Sequence, residues 1–484
     1  MTNPRILYIG IPLLTSIGVC QAGTVSGRSP EAEKKPNILL IISDDQSFRA
    51  NDPDGNPEVL TPNLDRLKRS GTTFTHAYNM GSWQPAVCIA SRAMLITGAY
   101  LWNAYELEQQ YRDAENLPFP LWGNLMQEAG YETYFSGKWH VRRDAAEVFD
   151  HVLNVRPGMP RDYPEGYNRP LNENDTVWQP WDEKWGGFWE GGRHWSEVLA
   201  DDALSFFAAT RDTDKPFFMY LSFNAPHDPR QSPREFVDMY PLENISLPPN
   251  FQPLYPYKNE MGSPRTLRDE RLAPFPRTEY SIRVNRREYY AIITHMDHQI
   301  GIILDELERT GEADNTYIFF TSDHGLAVGE HGLMGKQNMY EHSIRVPFIV
   351  CGPDIPAGKS VSADIYLQDV TASSLDIAGI EKPRYVQFNS IMDLARGSDN
   401  GSRYDAIYGA YMHLQRMIRK DGFKLIVYPE GNRTLLFDLE NDPREINDLS
   451  GNPDYRHIKI SLFYDLLDLQ KEMDDDLDLT NVDI

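Results

Sequence analysis

Asn37-Ile38-Leu39-Leu40-Ile41-Ile42-Ser43-Asp44-Asp45 is the stretch on which the fold turns. Its six-residue start reads as one buried strand, and its end delivers two adjacent carboxylates. The pattern recurs along the chain. Strand-length apolar runs stand at Tyr131 to Phe135, Phe217 to Phe223, Thr316 to Thr321 and Val346 to Val350. Helical patterns lie between them, such as the one opened by Thr61-Pro62 and stopped at Gly71, and Leu121 to Ala129 before Gly130. Strands alternating with helices predict an α/β sheet.

The residues after the strands carry the functional signal. The first strand ends in Asp44-Asp45 and the second in Gly137-Lys138-Trp139-His140. The next two end in Asn224-Ala225-Pro226-His227-Asp228 and Ser322-Asp323-His324-Gly325. Open α/β sheets bind ligands beyond the carboxyl ends of their strands. One ionisable cluster there reads as a polar turn; four predict a site. Asp44, Asp45, Asp323 and His324 suit one divalent cation. Three carboxylates favour calcium, while His324 is atypical for it and leaves magnesium, manganese or zinc open. Alone, the Asp44-Asp45 pair reads equally as a helix cap or an Asx-turn.

At 484 residues the chain predicts a large domain over 36–385 and a smaller one over 386–484. In the second, Ile407 to Tyr411, Gln415 to Arg419, Lys424 to Tyr428 and Leu435 to Leu439 read as short antiparallel strands, with a closing helix over Tyr455 to Met473. A formal charge of −24 argues against a nucleic-acid partner. Residues 1–22 read as a secretory signal, with Arg5, the apolar Ile6 to Val19 and a cleavage site at Cys20-Gln21-Ala22; 23–35 reads as a flexible leader. A lipid-modified Cys20 ranks second. The expectation is an exported protein, periplasmic or secreted, with no spanning membrane segment. Without Cys20, two cysteines remain, which is no disulfide framework. Cys351 reads as strand filler. Cys88, in a polar loop before the helical stretch Ala93 to Gly98, calls for another role.

Cys88-Ile89-Ala90-Ser91-Arg92 resembles the Cys/Ser-x-Pro-x-Arg signature of formylglycine-dependent type I sulfatases, within the alkaline-phosphatase-like superfamily. Asp44-Asp45, Lys138-Trp139-His140, His227, Asp323-His324 and Gly335-Lys336 follow that family's order, and Leu436 to Pro443 with Glu445 look like its C-terminal region. Ala90 departs from the commoner proline, which bears on which maturation enzyme would recognise the cysteine. The resemblance implies a large domain with a central mixed sheet flanked by helices, and a smaller α+β domain with an antiparallel sheet. It implies Cys88 oxidised to formylglycine by a maturation enzyme, the hydrated aldehyde as nucleophile, and position 88 among the metal ligands. Lys138 and Lys336 would hold sulfate oxygens, Arg92 the hydrate and a carboxylate. His227 or Lys336 would protonate the leaving alcohol, and His140 would take a proton to expel sulfate.

Trp178, Trp181, Trp185, Trp189 and Trp195 crowd a glycine-rich segment, where they stack on sugars or pack an insertion. Arg193, His194, Arg230 and Arg234 are expected to bind substrate carboxylates or sulfates. Export, the aromatic segment and these basic residues together suggest an acidic carbohydrate, which with the family resemblance makes the expected substrate a sulfated carbohydrate. The wording of His151 to Pro170 and Asn224 to Pro233 is similar to sulfatases of marine algal polysaccharides, ulvan among them, and to the iduronate-sulfatase branch. The alternatives are a phosphate or phosphonate ester hydrolase of the same superfamily, and an inactive sulfated-glycan-binding protein.

Overall fold

Ile38, Leu40 and Ile42 point to one side of the first strand and Leu39 and Ile41 to the other, yet all five are fully buried. That burial fixes the architecture, because a strand covered on both faces must sit inside a sheet with helices above and below. In the computed structural model, which describes residues 34–51, 58–161 and 163–484, the strand is β1 (Asn37–Ser43). The proposed signal and nearly all of the leader lie outside the described residues.

The large sheet continues with β2 (Thr72–Tyr78), β3 (Glu132–Lys138), β4 (His151–Arg156), β5 (Phe217–Ser222) and β6 (Thr316–Ser322). It is completed by β7 (Arg345–Cys351), β8 (Lys359–Val361) and β9 (Ile365–Tyr366). The order is β8-β2-β7-β6-β1-β5-β3-β4, with β9 on β2. All pairs are parallel except those of β7, which runs antiparallel to β2 and β6. The sheet is therefore mixed. One face packs on the helices Trp122–Glu128 and Asp369–Ala378. The other packs on Trp195–Ala209 and the 32-residue helix Glu279–Thr310. Each buried Leu or Ile contributes roughly 1.5–3 kcal/mol.

A second, antiparallel sheet is formed by β10 (Ile407–Tyr411), β11 (Gln415–Lys420), β12 (Phe423–Tyr428) and β13 (Arg433–Asp438). The C-terminal helix Arg456–Glu472 packs on it. Its edge is completed from far upstream, since Gly81 and Ser82 pair in parallel with Ala410 and Tyr411. The core beneath it is shared too. Tyr78, Val87, Ala90 and Met94 pack in one cluster with Ile407, Leu425, Leu436 and Leu466. Pro36–Ile484 forms one compact unit. Among the described residues no helix is long and apolar enough to cross a membrane.

Two details of the helix Pro62–Ser70 differ from expectation. Thr61 makes no side-chain cap; instead the Asp297 carboxylate accepts from Asn63 N at 3.1 Å and Leu64 N at 2.8 Å. Gly71 ends the helix in an extended conformation, and a Cβ there would lie 2.1 Å from Val350 O, so close approach accounts for the glycine.

Candidate active site

Register brings the ionisable clusters to one level. Ser43 pairs with Ser322, Ile42 with Ser222, and Gly137 with Ser222. Asp44, Asp323, His227 and Lys138 thus lie at or just beyond the carboxyl ends of four adjacent strands, β6, β1, β5 and β3. Gly137 has a φ of +97°, and a Cβ there would fall 1.9 Å from Ser222 O. Only glycine lets β3 run this close to β5 while delivering Lys138.

Cys88 is not in a loop. The helix begins at Val87 and includes the cysteine in its first turn, because Val87, Ala90 and Met94 supply an apolar face that extends the helix back through the motif. The thiol is buried, 2% exposed. Its Sγ lies 3.3 Å from Asp44 Oδ1, 3.6 Å from Asp45 Oδ1 and 2.9 Å from Lys336 Nζ. Burial pushes the thiol pKa well up, with Asp323 and Asp44 adding to it.

Arg92, one turn on, ties the strand ends together. Its Nε donates to Asp323 Oδ2 at 3.0 Å, and its Nη1 to Lys138 O and Ser222 Oγ, each at 2.7 Å. Lys138 Nζ donates to Asp44, and Lys336 Nζ to both oxygens of Asp45 at 2.5 and 2.6 Å. Three buried carboxylates therefore face three buried cations. The balance is uneven. Burial, then Asp323, pushes Asp44 up to about 8. Burial likewise raises Asp45 to about 6, against Lys336. For Asp323, burial pulls upward, but Arg92, Lys138, Lys336 and the Asp45 N–H together hold it well below the ordinary range.

Asp44, Asp45, Cys88 and His227 bring ligand atoms within 4.8 Å of one another. Asp323 stands beside them, one oxygen accepting from Asp45 N at 3.2 Å. His324 turns Nδ1 to Gly325 O at 3.0 Å and leaves Nε2 buried without a partner. Crowded buried carboxylates, two of them raised chiefly by burial, with an orphaned imidazole nitrogen nearby, fit a divalent cation. The oxygen-rich set favours a hard one.

A cavity of about 270 Å³ opens over this floor, lined by Cys88, His140, His227, Arg268, Lys336 and Gln337 among others. His227 holds Asp228 O at 2.7 Å through Nδ1, and its Nε2 lies 3.7 Å from Asp45 Oδ2. Burial, then Lys336 and Lys138, drives its pKa well down. His140 sits at a φ of +52°, with Nδ1 buried and unpartnered. Burial and then Lys138 lower its pKa to about 2.

The expected substrate contacts lie elsewhere. His194 has both ring nitrogens occupied: Nε2 meets Gln231 O at 2.9 Å, and Nδ1 accepts from Ser196 N at 3.1 Å, capping the helix Trp195–Ala209. Arg193 is exposed and paired with Asp201 and Glu197. Arg230 is buried, donates to Asn285 Oδ1 at 3.0 Å and stacks over Tyr289. None of the three lines the cavity. Of the tryptophans, Trp178 and Trp185 stack on each other with 5.7 Å between centroids, under Arg169 and Lys184 respectively, which is the packing role. Arg234 lies over Trp181.

The sequence reading missed Arg268, Asp269 and Gln337. Arg268 bridges Asp228 at 2.9 Å and Asp269 at 2.5 Å, and Gln337 Nε2 donates to Asp269 at 2.7 Å. Gln337 follows Lys336 directly, the one available clue. Arg268 and Asp269 open the single 3-10 turn Asp269–Leu272, whose sequence has no strand or motif to mark it.

Comparison with known proteins agrees with this geometry. Residues 36–380 match the family model described as Sulfatase, and 329–472 that of the N-sulphoglucosamine sulphohydrolase C-terminal region. An N-acetylglucosamine-6-O-sulfatase of Bacteroides thetaiotaomicron is 27% identical, covering 98% of this chain and 92% of that protein. An ulvan-active sulfatase of Formosa agariphila is also 27% identical, covering 95% and 85%. A solved protein in complex with its substrate D-glucosamine-2-N,6-O-disulfate shares the fold, with a TM-score of 0.70 and 24% identity over 93% of this chain and 100% of that one. The chain belongs to the sulfatase family, whose members hydrolyse sulfate esters.

Proposed function

We propose that the chain hydrolyses sulfate esters on a sulfated carbohydrate, an algal polysaccharide such as ulvan or its oligosaccharides, using formylglycine at position 88 and one calcium ion. The observation that carries this reading is the meeting of Cys88 with Asp44, Asp45 and Lys336 on the floor of a single cavity. Asp44, Asp45, Asp323 and position 88 would hold the cation, with His324 beside them. When bound, the cation and the modified residue supply charge neutralisation and an oxygen nucleophile.

The other steps belong to this chain's own side chains. Lys138 and Lys336 offset the sulfate's negative charge, which strengthens in value as the cavity excludes water. Arg92 fixes the strand ends so that the carboxylates and Lys138 keep their spacing. His227 Nε2 faces the cavity and would protonate the leaving oxygen. A bound sulfate ester adds negative charge and opposes the lysines' downward pull on its pKa. Lys336 is the alternative donor. His140, neutral at pH 7, is suited to accept a proton. The proposed setting is the periplasm or the medium, after a maturation enzyme has acted on Cys88.

The test is the mass of the peptide containing position 88, from protein made with a maturation enzyme, together with turnover. A mass loss at residue 88, and loss of aryl sulfate hydrolysis in Cys88→Ala with an unchanged melting temperature, are expected. Full activity in that variant overturns the mechanism. Faster turnover of an aryl phosphate than of the aryl sulfate would move the chain to the phosphate or phosphonate reading.

A further inference from the structure

Beside the cavity over Cys88 runs a larger groove of about 880 Å³. The two are continuous along the chain. Trp83 and Gln84 line the groove, and Pro85, Ala86 and Cys88 line the cavity. A second link joins His140 on the cavity side to Arg142 on the groove side. Arg142 donates to Gln84 Oε1 at 3.4 Å and pairs with Glu108 at 3.0 Å, which closes the joint. The opposite wall comes from the C-terminal sheet and the segment after the last helix, at Met412, His413 and Arg416 and at Asp474 to Leu477.

The groove is aromatic and electrically spent. The Trp83 and Tyr105 rings meet at 5.4 Å between centroids, and Tyr105 is 38% exposed. Trp102 is pinned by its Nε1 donating to Tyr408 Oη at 3.0 Å. The arginines are all engaged: Arg416 with both oxygens of Asp475 at 2.6 and 2.7 Å, Arg112 with Asp113 at 2.7 Å, and Arg142 with Glu108. No surplus positive charge remains for a sulfate or carboxylate. Glu106, Gln109 and Asp476 supply oxygens and an amide instead.

One exposed ring, Tyr105, flanked by the half-buried Trp83 and Trp102 and beside acceptor groups, suits an uncharged sugar ring, whose C–H face stacks while its hydroxyls donate to carboxylates. We propose that this groove binds the uncharged sugar units that adjoin the esterified unit of the same chain, making the protein selective for oligosaccharides over sulfated monosaccharides. The inference rests on the carbohydrate reading above.

Size-fractionated 6-sulfated N-acetylglucosamine oligosaccharides with uncharged neighbouring units, their monosaccharide sulfate and 4-nitrophenyl sulfate are the probes, with kcat/KM and melting temperature as readouts. Wild-type protein should prefer the longer chains. Tyr105→Ala should lose roughly 3–10-fold on these, the worth of one aromatic contact, with rates on the monosaccharide and aryl sulfates and the melting temperature held. Tyr105→Phe should restore the preference. Equal wild-type rates on long and short substrates, or an equal loss by Tyr105→Ala on all of them, overturns the groove while leaving sulfate hydrolysis intact. Turnover of 4-nitrophenyl sulfate without any carbohydrate sulfate sinks the carbohydrate reading, and the groove with it.

Discussion

His227 is the residue whose role kinetics can isolate. Its Nδ1 is committed to Asp228 O, leaving Nε2 toward the cavity. If that nitrogen protonates the leaving oxygen, His227→Ala should cost about 10²–10⁴-fold on sugar sulfates. A nitrophenolate leaves without help, so 4-nitrophenyl sulfate should suffer far less. Equal losses on both substrates would pass the role to Lys336, whose Nζ stands 2.9 Å from Cys88 Sγ. His140 differs in kind. Its substitution should slow turnover by a similar factor whatever the leaving group, because the proton transfer proposed for it would follow departure of the alcohol.

At the scale of elements, the site depends on how closely neighbouring strands run. Gly137→Ala would drive a Cβ into Ser222 O in a backbone conformation that already disfavours a side chain. The expected outcome is a loss on the order of 3 kcal/mol, together with activity, since Lys138 is the next residue; thermal melts and aryl sulfate assays read both. The strands themselves were legible because each is a short apolar run closed by polar residues: β10 is found where Ile407 to Tyr411 predicted it, and β6 extends its run by only one residue, to Ser322. Their pooled carboxyl ends announced the site. The helix Glu279–Thr310 was not legible, since the buried polar residues Asn285 and Glu288 interrupt its apolar stripe near the start. Nor was the Arg268 bridge, which exists only because Asp228 and Asp269 meet in space. His194 misled because a histidine beside an arginine in a tryptophan-rich segment resembles a binding surface, whereas its ring caps a helix.

At the scale of the molecule, one apolar cluster joins the helix that carries Cys88 to the C-terminal sheet. A chain ending at residue 385 would leave Tyr78, Val87 and Met94 without Ile407, Leu425 and Leu466. Losing several such partners at roughly 1.5–3 kcal/mol each exceeds the usual net stability of a domain. The truncated chain should therefore collect in the insoluble fraction and release no sulfate. A soluble, cooperatively melting 36–385 fragment would show that the large sheet is self-sufficient.

The pairing of Gly81-Ser82 with Ala410-Tyr411 sets a clock on biosynthesis. The segment just ahead of Cys88 cannot find its strand partner until about 330 further residues have left the ribosome. At ordinary elongation speeds that interval lasts roughly 20–60 s. Throughout it the cysteine, sealed to 2% exposure once the chain has closed, should stay within reach of an enzyme that alters it. Chemistry at position 88 is thus a matter of timing as well as recognition, and purified folded protein should resist a conversion that the nascent chain accepts.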